Sequence, residues 1–220
     1  YFYKRILFKN AGKEIWSSSL STLPKNKNKD EFDKLSVLVR FDHQLRSSGI
    51  NTKHTLLPNF NWACEDISEI INKYQLKKYI LLFPFCSPHL KVKKWPHYNE
   101  LIKIINNNLG NQYEIIIAPG PNEINDAKNI NAECILNNSN SLNITQLASL
   151  IKNSSFVIAN DTGPAHIAAH LGSKGLALFG KHTTAELVSI ERENFKAIQV
   201  SDLKKLSANK VFERMLENIN

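Results

Sequence analysis

The sequence predicts an α/β fold with a Rossmann-like parallel sheet that helices cover on both faces. The first observation is that short, nearly continuous apolar runs recur from residue 79 onward, as buried parallel strands require. The second is that each run is followed by a segment with the spacing of an amphipathic helix. A chain of 220 residues is long enough to bury a substantial core around such strand–helix–strand units.

The individual elements are predicted in chain order. Residues 21–33 are polar and contain a proline, so they read as a linker or exposed loop, and residues 34–48 read as a helix that stops at Gly49. The strands expected in the sheet are 79–83, 113–118, 134–136, 156–159 and 176–179. The helices expected after them begin after Pro96, cover 123–130 and 144–151, and begin at Pro164, and a last amphipathic helix covers 207–217.

Composition narrows the class of protein. A hydrophobic content of 42% with 22% charged residues is ordinary for a globular protein. No apolar run approaches the roughly 20 residues of a spanning helix, and no secretory signal is recognisable. The three cysteines lack a Cys-x-x-Cys pair, which favours reduced thiols in the cytoplasm over a disulfide framework or a zinc site. Because the chain starts at Tyr1 and enters directly into an apolar run, it reads as the middle of a longer protein.

The formal net charge of +8 would suit nucleic acid, an anionic membrane surface or phosphorylated small molecules. The lysines are spread along the chain among asparagines and isoleucines, and no helix-turn-helix, zinc-finger or ribonucleoprotein signature accompanies them. The sequence therefore predicts no nucleic-acid partner.

The stretch NDTGPAHIAAHLG after the fourth strand is suited to an anion. Gly163 allows a tight turn and a close approach to a ligand, and Pro164 fits the first helical position. The free N–H groups of that turn and the helix dipole attract phosphate, and Thr162 and His166 add donors. Asp161 would repel phosphate, so it would orient the turn or accept from a ligand hydroxyl. The alternative is that Asp161 or Thr162 only caps the helix.

Two other interpretations of this stretch are rejected. Asp-Thr-Gly is also the triplet of aspartic proteases, but those need paired copies in an all-β fold, and this chain has one copy before a helix. His166 and His170 have the i, i+4 spacing of metal ligands, yet no Glu lies between them and no third ligand is evident. No metal site is predicted.

Two further loops follow strands of the predicted sheet. The loop FPFCSPHLKVKKWP carries Ser87, lysines that could neutralise phosphates, and Trp95 as an anchor; alternatively it is a solvated basic loop with a buried Trp. The loop APGPNE ends in Glu123, which could accept the hydroxyls of a ribose or merely place a favourable charge at a helix start. Since ligands bind beyond the carboxyl ends of parallel strands, the three loops are expected to form one site.

Together these motifs resemble glycosyltransferase family 9, the ADP-heptose:lipopolysaccharide heptosyltransferases and their relatives. The resemblance rests on Pro84, Ser87-Pro88, Lys93-Lys94-Trp95-Pro96, Gly120-Pro121-Asn122-Glu123, Asp161 to Ala169 and Leu178-Phe179-Gly180, in the family's order and spacing. Trp16-Ser17 and the helix ending at Gly49 are also similar. The chain departs from the family at Phe85, where a glycine is usual, and at Lys174, where a proline is usual.

The resemblance implies a GT-B fold of two Rossmann-like domains, of which this chain lacks most of the amino-terminal one. It implies that residues 1–50 are the remnant of that domain and a linker, 51–205 the nucleotide-sugar-binding domain, and 206–220 a carboxyl-terminal helix. The donor site that the family's motifs would form consists of Ser87, Lys93, Glu123, Asp161, Thr162, Gly163 and His166. Ser87 and Lys93 would contact donor phosphates, and Glu123 the ribose. The catalytic base is unknown and expected in the missing domain.

The activity expected from this resemblance is transfer of a heptose-type sugar from an ADP-linked donor to a lipopolysaccharide core acceptor. The protein would be cytoplasmic, peripheral on the inner membrane, and would use neither a metal nor another cofactor, because lysine, hydroxyl and helix N-terminus stabilise the leaving diphosphate. The alternative is a non-catalytic nucleotide-binding module. The chain alone is expected to bind donor without transferring sugar.

Overall fold

The fold was obtained as a computed structural model that describes residues 22–26 and 28–219. Trp16 and Ser17 lie outside the described residues. The chain divides into two compact units, one formed by Tyr1–Pro58 with Glu186–Ser189 and the other by Asn59–Ala185 with Ile190–Asn220. The domain boundaries inferred from the sequence remain predictions.

The described part of the first unit contains helices α1 (Lys29–Asp33) and α2 (Val37–Ser47). Helix α1 falls within residues 21–33, so the loop predicted there is wrong over those five residues. The helix forms because the Asn28 side chain accepts from the backbone N–H of Glu31 and because Phe32 is buried. Helix α2 matches the prediction and is followed by Gly49, whose φ of +79° is the left-handed conformation that glycine adopts readily.

The second unit is built on a six-stranded parallel sheet with the strand order β3-β2-β1-β4-β5-β6. Its strands are β1 (Tyr79–Phe83), β2 (Glu114–Ile117), β3 (Glu133–Cys134), β4 (Phe156–Asn160), β5 (Gly175–Phe179) and β6 (Phe195–Gln199). The predicted α/β class and parallel sheet are thus confirmed. Strand β6 was missed, because exposed Lys196 and Gln199 interrupt its apolar residues at the edge of the sheet.

The helices of this unit are α3 (Ser68–Lys73), α4 (Tyr98–Leu109), α5 (Ile124–Ala127), α6 (Ile144–Lys152), α7 (Gly163–Leu171) and α8 (Ala208–Ile219). Helix α3 was not predicted, and α5 is shorter than the predicted helix over 123–130. Asn125, Asp126 and Asn129 are poor helix formers, and the chain leaves α5 in a turn from Ala127 to Ile130.

Both faces of the sheet are covered. Ile80 and Leu82 of β1 pack in one core cluster with residues of α4 and α8, and α4 packs directly against α8. Leu81 and Phe83 alternate with them, so they point to the opposite face, and they are buried as well. Two-sided burial explains why these strands are continuously apolar, as the sequence pattern requires.

Candidate functional site

A cavity of about 470 Å³ lies at the carboxyl ends of β1, β2 and β4, next to the point where the strand order reverses between β1 and β4. It is lined by all seven residues that the sequence pointed to, namely Ser87, Lys93, Glu123, Asp161, Thr162, Gly163 and His166. The three predicted loops therefore meet at one site. Their ligand-binding roles remain predictions.

The loop after β1 is held by a buried tryptophan and a buried asparagine. Trp95 is fully buried, and its Nε1–H donates to the carbonyl of Leu206 at 2.8 Å. Asn160, the last residue of β4, accepts from the Trp95 backbone N–H at 3.2 Å and donates to the carbonyl of Phe85 at 3.3 Å. These bonds fix the loop that carries Ser87 and Lys93 against the strand that leads into Asp161. Trp95 anchors the loop as predicted, whereas no role was assigned to Asn160.

The polar centre of the cavity is the Asp161 cluster, which consists of Asp161, Lys93, His166 and His182. Asp161 is only 4% exposed, and its Oδ2 accepts from Lys93 Nζ at 2.6 Å and from His182 Nε2 at 3.0 Å. Its Oδ1 lies 3.8 Å from His166 Nε2, which is an ion-pair distance rather than a hydrogen bond. Lys93 and Asp161 come from the loops after β1 and β4, so they join the two strands where the order reverses.

The cluster keeps Asp161 ionised although it is buried. Burial favours the neutral carboxyl, but the neighbouring His166, Lys93 and His182 outweigh burial and hold the pKa of Asp161 well below its ordinary range. The ionised carboxylate in turn orients Lys93, whose side chain is 21% exposed, at the wall of the cavity. Asp161 therefore serves as a buried counter-ion for Lys93, a role that the sequence did not predict; its orientation of the turn and its contact with a ligand hydroxyl remain predictions.

The start of α7 leaves a backbone donor at the cavity. The Thr162 side chain makes no capping hydrogen bond, and its hydroxyl donates instead to the carbonyl of Asn160 at 3.2 Å. The N–H of Gly163 donates to no acceptor among the described residues, and Pro164 has no N–H. The structure does not support the alternative in which Thr162 or Asp161 serves only as a side-chain cap.

Gly163 is not needed for backbone conformation. Its φ is not in the left-handed region, and a Cβ built on it would meet no heavy atom within 4 Å. The tight-turn reason given for this glycine is therefore wrong. Because Gly163 lines the cavity, the missing side chain leaves open space beside its N–H for a close approach by a ligand.

Glu123 and Ser87 line the same cavity from the other two loops. The Glu123 carboxylate turns back on its own loop, where Oε2 accepts from the Gly120 N–H at 2.8 Å. This bond fixes the carboxylate while engaging one of its two oxygens. Ser87 precedes a 3₁₀ segment over Pro88–Lys93 and is exposed, and its carbonyl accepts from the N–H of Leu90 at 2.8 Å.

His182 is the cluster residue that sequence reasoning missed. It lies in the loop after β5, directly beyond Leu178-Phe179-Gly180 of the family resemblance. The signal was available, since this loop also follows the carboxyl end of a parallel strand and carries polar residues. The loop after β5 is thus a fourth loop of the site, beside those after β1, β2 and β4.

Two lysines of the loop after β1 and the second histidine of the Asp-Thr-Gly stretch lie outside this cavity. Lys91 and Lys94 line a neighbouring cavity of about 570 Å³ instead, and the Lys94 ammonium is 5.9 Å from the centre of the Phe85 ring. His170 faces Arg192, whose Nη2 lies 3.3 Å from His170 Nδ1. Burial and the positive charge of Arg192 lower the pKa of His170 to about 4, so this imidazole is neutral near pH 7.

The two departures from the family's pattern have different surroundings. Phe85 is buried between the two cavities and lines both. Lys174 donates through Nζ to the carbonyl of Ile219 at 3.2 Å, where a cation is favourable at the end of α8. The lysine thus ties the last helix to the loop before β5.

In the described part of the chain, no group of three or more His, Cys, Asp or Glu side chains is arranged to hold a metal ion. None of the helices described here is both long enough and apolar enough to cross a membrane.

The strand order and the cavity beyond the carboxyl ends of the strands define a doubly wound, Rossmann-like α/β domain, a class that places its ligands at this reversal point. The chain belongs to glycosyltransferase family 9 (heptosyltransferase), whose family model matches residues 16–215. No curated protein gives a significant sequence match.

Solved structures share this fold. The chain is similar to E. coli heptosyltransferase WaaC with ADP, with a TM-score of 0.60 and 21% identity over 81% of this chain and 55% of that one. For E. coli ADP-heptose lps heptosyltransferase II, the TM-score is 0.57, with 17% identity over 69% of this chain and 50% of that one. For the family 9 glycosyl transferase from Veillonella parvula DSM 2008, the TM-score is 0.65, with 12% identity over 90% and 62%. The chain therefore spans between half and two thirds of the length of these proteins.

Proposed function

We propose that the chain carries the donor-binding site of a glycosyltransferase that moves a sugar from a nucleoside-diphosphate sugar to an acceptor hydroxyl. The observation that supports this most is the convergence of all seven predicted donor residues on one cavity at the strand reversal. Membership of glycosyltransferase family 9 supports the reaction class.

The diphosphate of the donor would lie between Lys93 and the start of α7. The Gly163 N–H and the positive end of the helix dipole supply attraction for an anion, and the open space beside Gly163 admits it closely. Lys93 Nζ supplies a positive charge next to Asp161, which directly precedes this helix start, and His166, 34% exposed, adds a ring nitrogen. We assign Ser87 to a hydroxyl contact with the same phosphates, and Thr162 to one that would replace its bond to the Asn160 carbonyl.

The nucleoside would occupy the part of the cavity that the loop after β2 lines. Glu123 is held by the Gly120 N–H through Oε2, so its other oxygen could accept a ribose hydroxyl. Leu142 and Leu147 provide an apolar wall suited to a base. We propose adenine as the base and heptose as the sugar, because a WaaC structure of the same fold holds ADP-2-deoxy-2-fluoro heptose.

In the reaction, the acceptor hydroxyl attacks the anomeric carbon while the bond between that carbon and the diphosphate oxygen breaks. Negative charge then builds on the leaving diphosphate, and Lys93, the Gly163 N–H and the helix dipole are placed to stabilise it. These groups supply the positive charge that the leaving group needs, so we propose a reaction without a metal cofactor. The base that takes the acceptor proton is not assigned to any of the seven residues.

We further propose that the acceptor is a lipopolysaccharide core glycolipid, reached at the cytoplasmic face of the inner membrane. The net charge of +8 favours an acidic, phosphorylated acceptor in a membrane surface. This part of the proposal rests on family membership and charge.

The direct test is to measure the binding of ADP-, UDP- and GDP-sugars to the 220-residue chain by thermal shift and by calorimetry. We expect ADP-sugars to raise the melting temperature most. Lys93→Ala should weaken binding by about 1–3 kcal/mol, the value of a charge-assisted contact.

Lys94→Ala is the matched control, because Lys94 lines the neighbouring cavity. Equal losses for the two variants, or no loss for Lys93→Ala, would show that the diphosphate is misplaced. A panel in which no nucleotide-sugar binds would overturn the proposed function.

A further inference from the structure

His182 is a largely buried histidine that reaches the polar centre of the cavity through its bond to Asp161. Its side chain is 9% exposed, and its ring stacks on Phe179 with 6.3 Å between ring centres and 13° between planes. Its Nε2 lies 3.0 Å from Asp161 Oδ2, whereas its Nδ1 is buried without a hydrogen-bond partner among the described residues. His182 does not line the cavity, so a ligand there would not touch it.

The hydrogen bond fixes the tautomer of His182. An ionised carboxylate can only accept, so Nε2 must carry the hydrogen of this bond. The stack on Phe179 keeps the ring in the plane that aims Nε2 at Asp161. His182 is therefore a fixed N–H donor to one carboxylate oxygen.

That oxygen is the one that also holds Lys93. Asp161 Oδ2 accepts from Lys93 Nζ at 2.6 Å and from His182 Nε2 at 3.0 Å. With two donors on one oxygen, the carboxylate cannot turn freely, and its negative charge is shared between them. Lys93 is thereby oriented by Asp161 without having its own charge fully neutralised by it.

We propose that His182 is a positioning residue, which shares Asp161 with Lys93 so that Lys93 stays at the cavity wall and retains attraction for the diphosphate of the donor. The effect of His182 on donor binding rests on the proposed function, whereas the structure itself shows that Lys93 and His182 share Asp161.

Two variants of His182 separate the hydrogen bond from packing. His182→Phe keeps a ring that can stack on Phe179 and removes the donor, whereas His182→Gln keeps an N–H donor at a similar reach. We expect His182→Phe to raise the Kd for ADP about tenfold, because Asp161 would then pair more tightly with Lys93 and weaken the attraction of Lys93 for the diphosphate. Affinity for adenosine, which has no phosphate, should stay unchanged, and His182→Gln should restore most of the ADP affinity.

A double-mutant cycle distinguishes a role of His182 that acts through Lys93 from a role in packing alone. If His182 acts through Lys93, His182→Phe should cause little further loss of ADP affinity in a Lys93→Ala background. Additive losses, equal losses for ADP and adenosine, or an unchanged ADP affinity in the single variant would overturn the proposal.

The unliganded protein supplies a test that does not depend on nucleotide binding. Without the His182 donor, Asp161 should pair more tightly with Lys93, so acylation of the Lys93 amine by limiting acetic anhydride should slow about threefold or more relative to Lys94. A local loss of packing would speed this reaction instead. A faster or unchanged rate in His182→Phe would overturn the positioning role. Slower acylation in His182→Phe, together with a wild-type chain that binds no ADP, would overturn only the proposed function.

Discussion

Replacing Asp161 with asparagine removes the central charge of the Asp161 cluster while keeping the size of the side chain. Asp161 is 4% exposed and Lys93 is 21% exposed, so the substitution breaks a largely buried ion pair and leaves the lysine without its counter-ion. Removing one partner of such a pair costs about 3–5 kcal/mol. Because Lys93 can still reach water, we expect a loss of about 3 kcal/mol in the free energy of unfolding at pH 7.

The loss should depend on pH in a defined direction. The pKa of Asp161 is lowered in the folded chain, so its contribution is complete above the pKa of the unfolded carboxyl, about 3.9, and disappears as the pH falls toward the folded value. Denaturant titrations of wild type and Asp161→Asn should therefore differ by a constant amount from pH 5 to 7, and the difference should shrink progressively as the pH falls below about 4.

The matched control for this experiment is Asp126→Asn. Asp126 is an exposed acid in α5 that forms no ion pair with the described residues, so its substitution should change the free energy of unfolding by no more than about 0.5 kcal/mol. The reasoning would be refuted if Asp161→Asn cost less than about 1 kcal/mol, or if its cost did not change between pH 7 and pH 3.

Three further outcomes are expected. Gly163→Ala should change the free energy of unfolding by no more than about 0.5 kcal/mol. It should nevertheless weaken ADP binding about tenfold in calorimetry, because the added methyl group fills open space at the cavity. An unchanged Kd would contradict this prediction. Bound ADP should slow the alkylation of Cys86, which lines the cavity. Cys134 is the control, because burial raises the pKa of both thiols but Cys134 does not line the cavity. Mass spectrometry would measure both rates, and equal slowing of the two cysteines would contradict the prediction. The free energy of unfolding should fall as the pH drops from about 6.5 to about 4, because in this range His170 binds a proton in the unfolded chain but not in the folded one. If His170→Gln showed the same dependence of this free energy on pH, the prediction would be wrong.

The sheet was predictable because its strands are buried on both faces. Strand β1 reads as an unbroken apolar run and was identified at its correct bounds. Strand β6 lies at the edge of the sheet, where Lys196 can face solvent, and its mixed pattern has no such signal. Helix α1 was missed for a related reason, since four of its five residues are charged and the helix forms through the Asn28 cap and the burial of Phe32.

The site was predictable wherever a motif follows a strand. The loops after β1, β2 and β4 each carry a recognisable polar motif, and topology brings them to one cavity. What the sequence could not reveal is how the side chains pair. The contact of Lys93 with Asp161 joins residues 68 positions apart, and the reach of His182 to the same carboxylate depends on the order of β4 and β5. Sequence spacing carries no record of such contacts.

The central claim is that the diphosphate of a nucleotide-sugar binds between Lys93 and the start of α7. A crystal structure of the chain soaked with ADP tests it most directly. The account predicts phosphate oxygens within hydrogen-bond distance of Lys93 Nζ and the Gly163 N–H, with the ribose hydroxyls at Glu123. ADP bound with its phosphates away from both groups, or at the neighbouring cavity of Lys91 and Lys94, would contradict it.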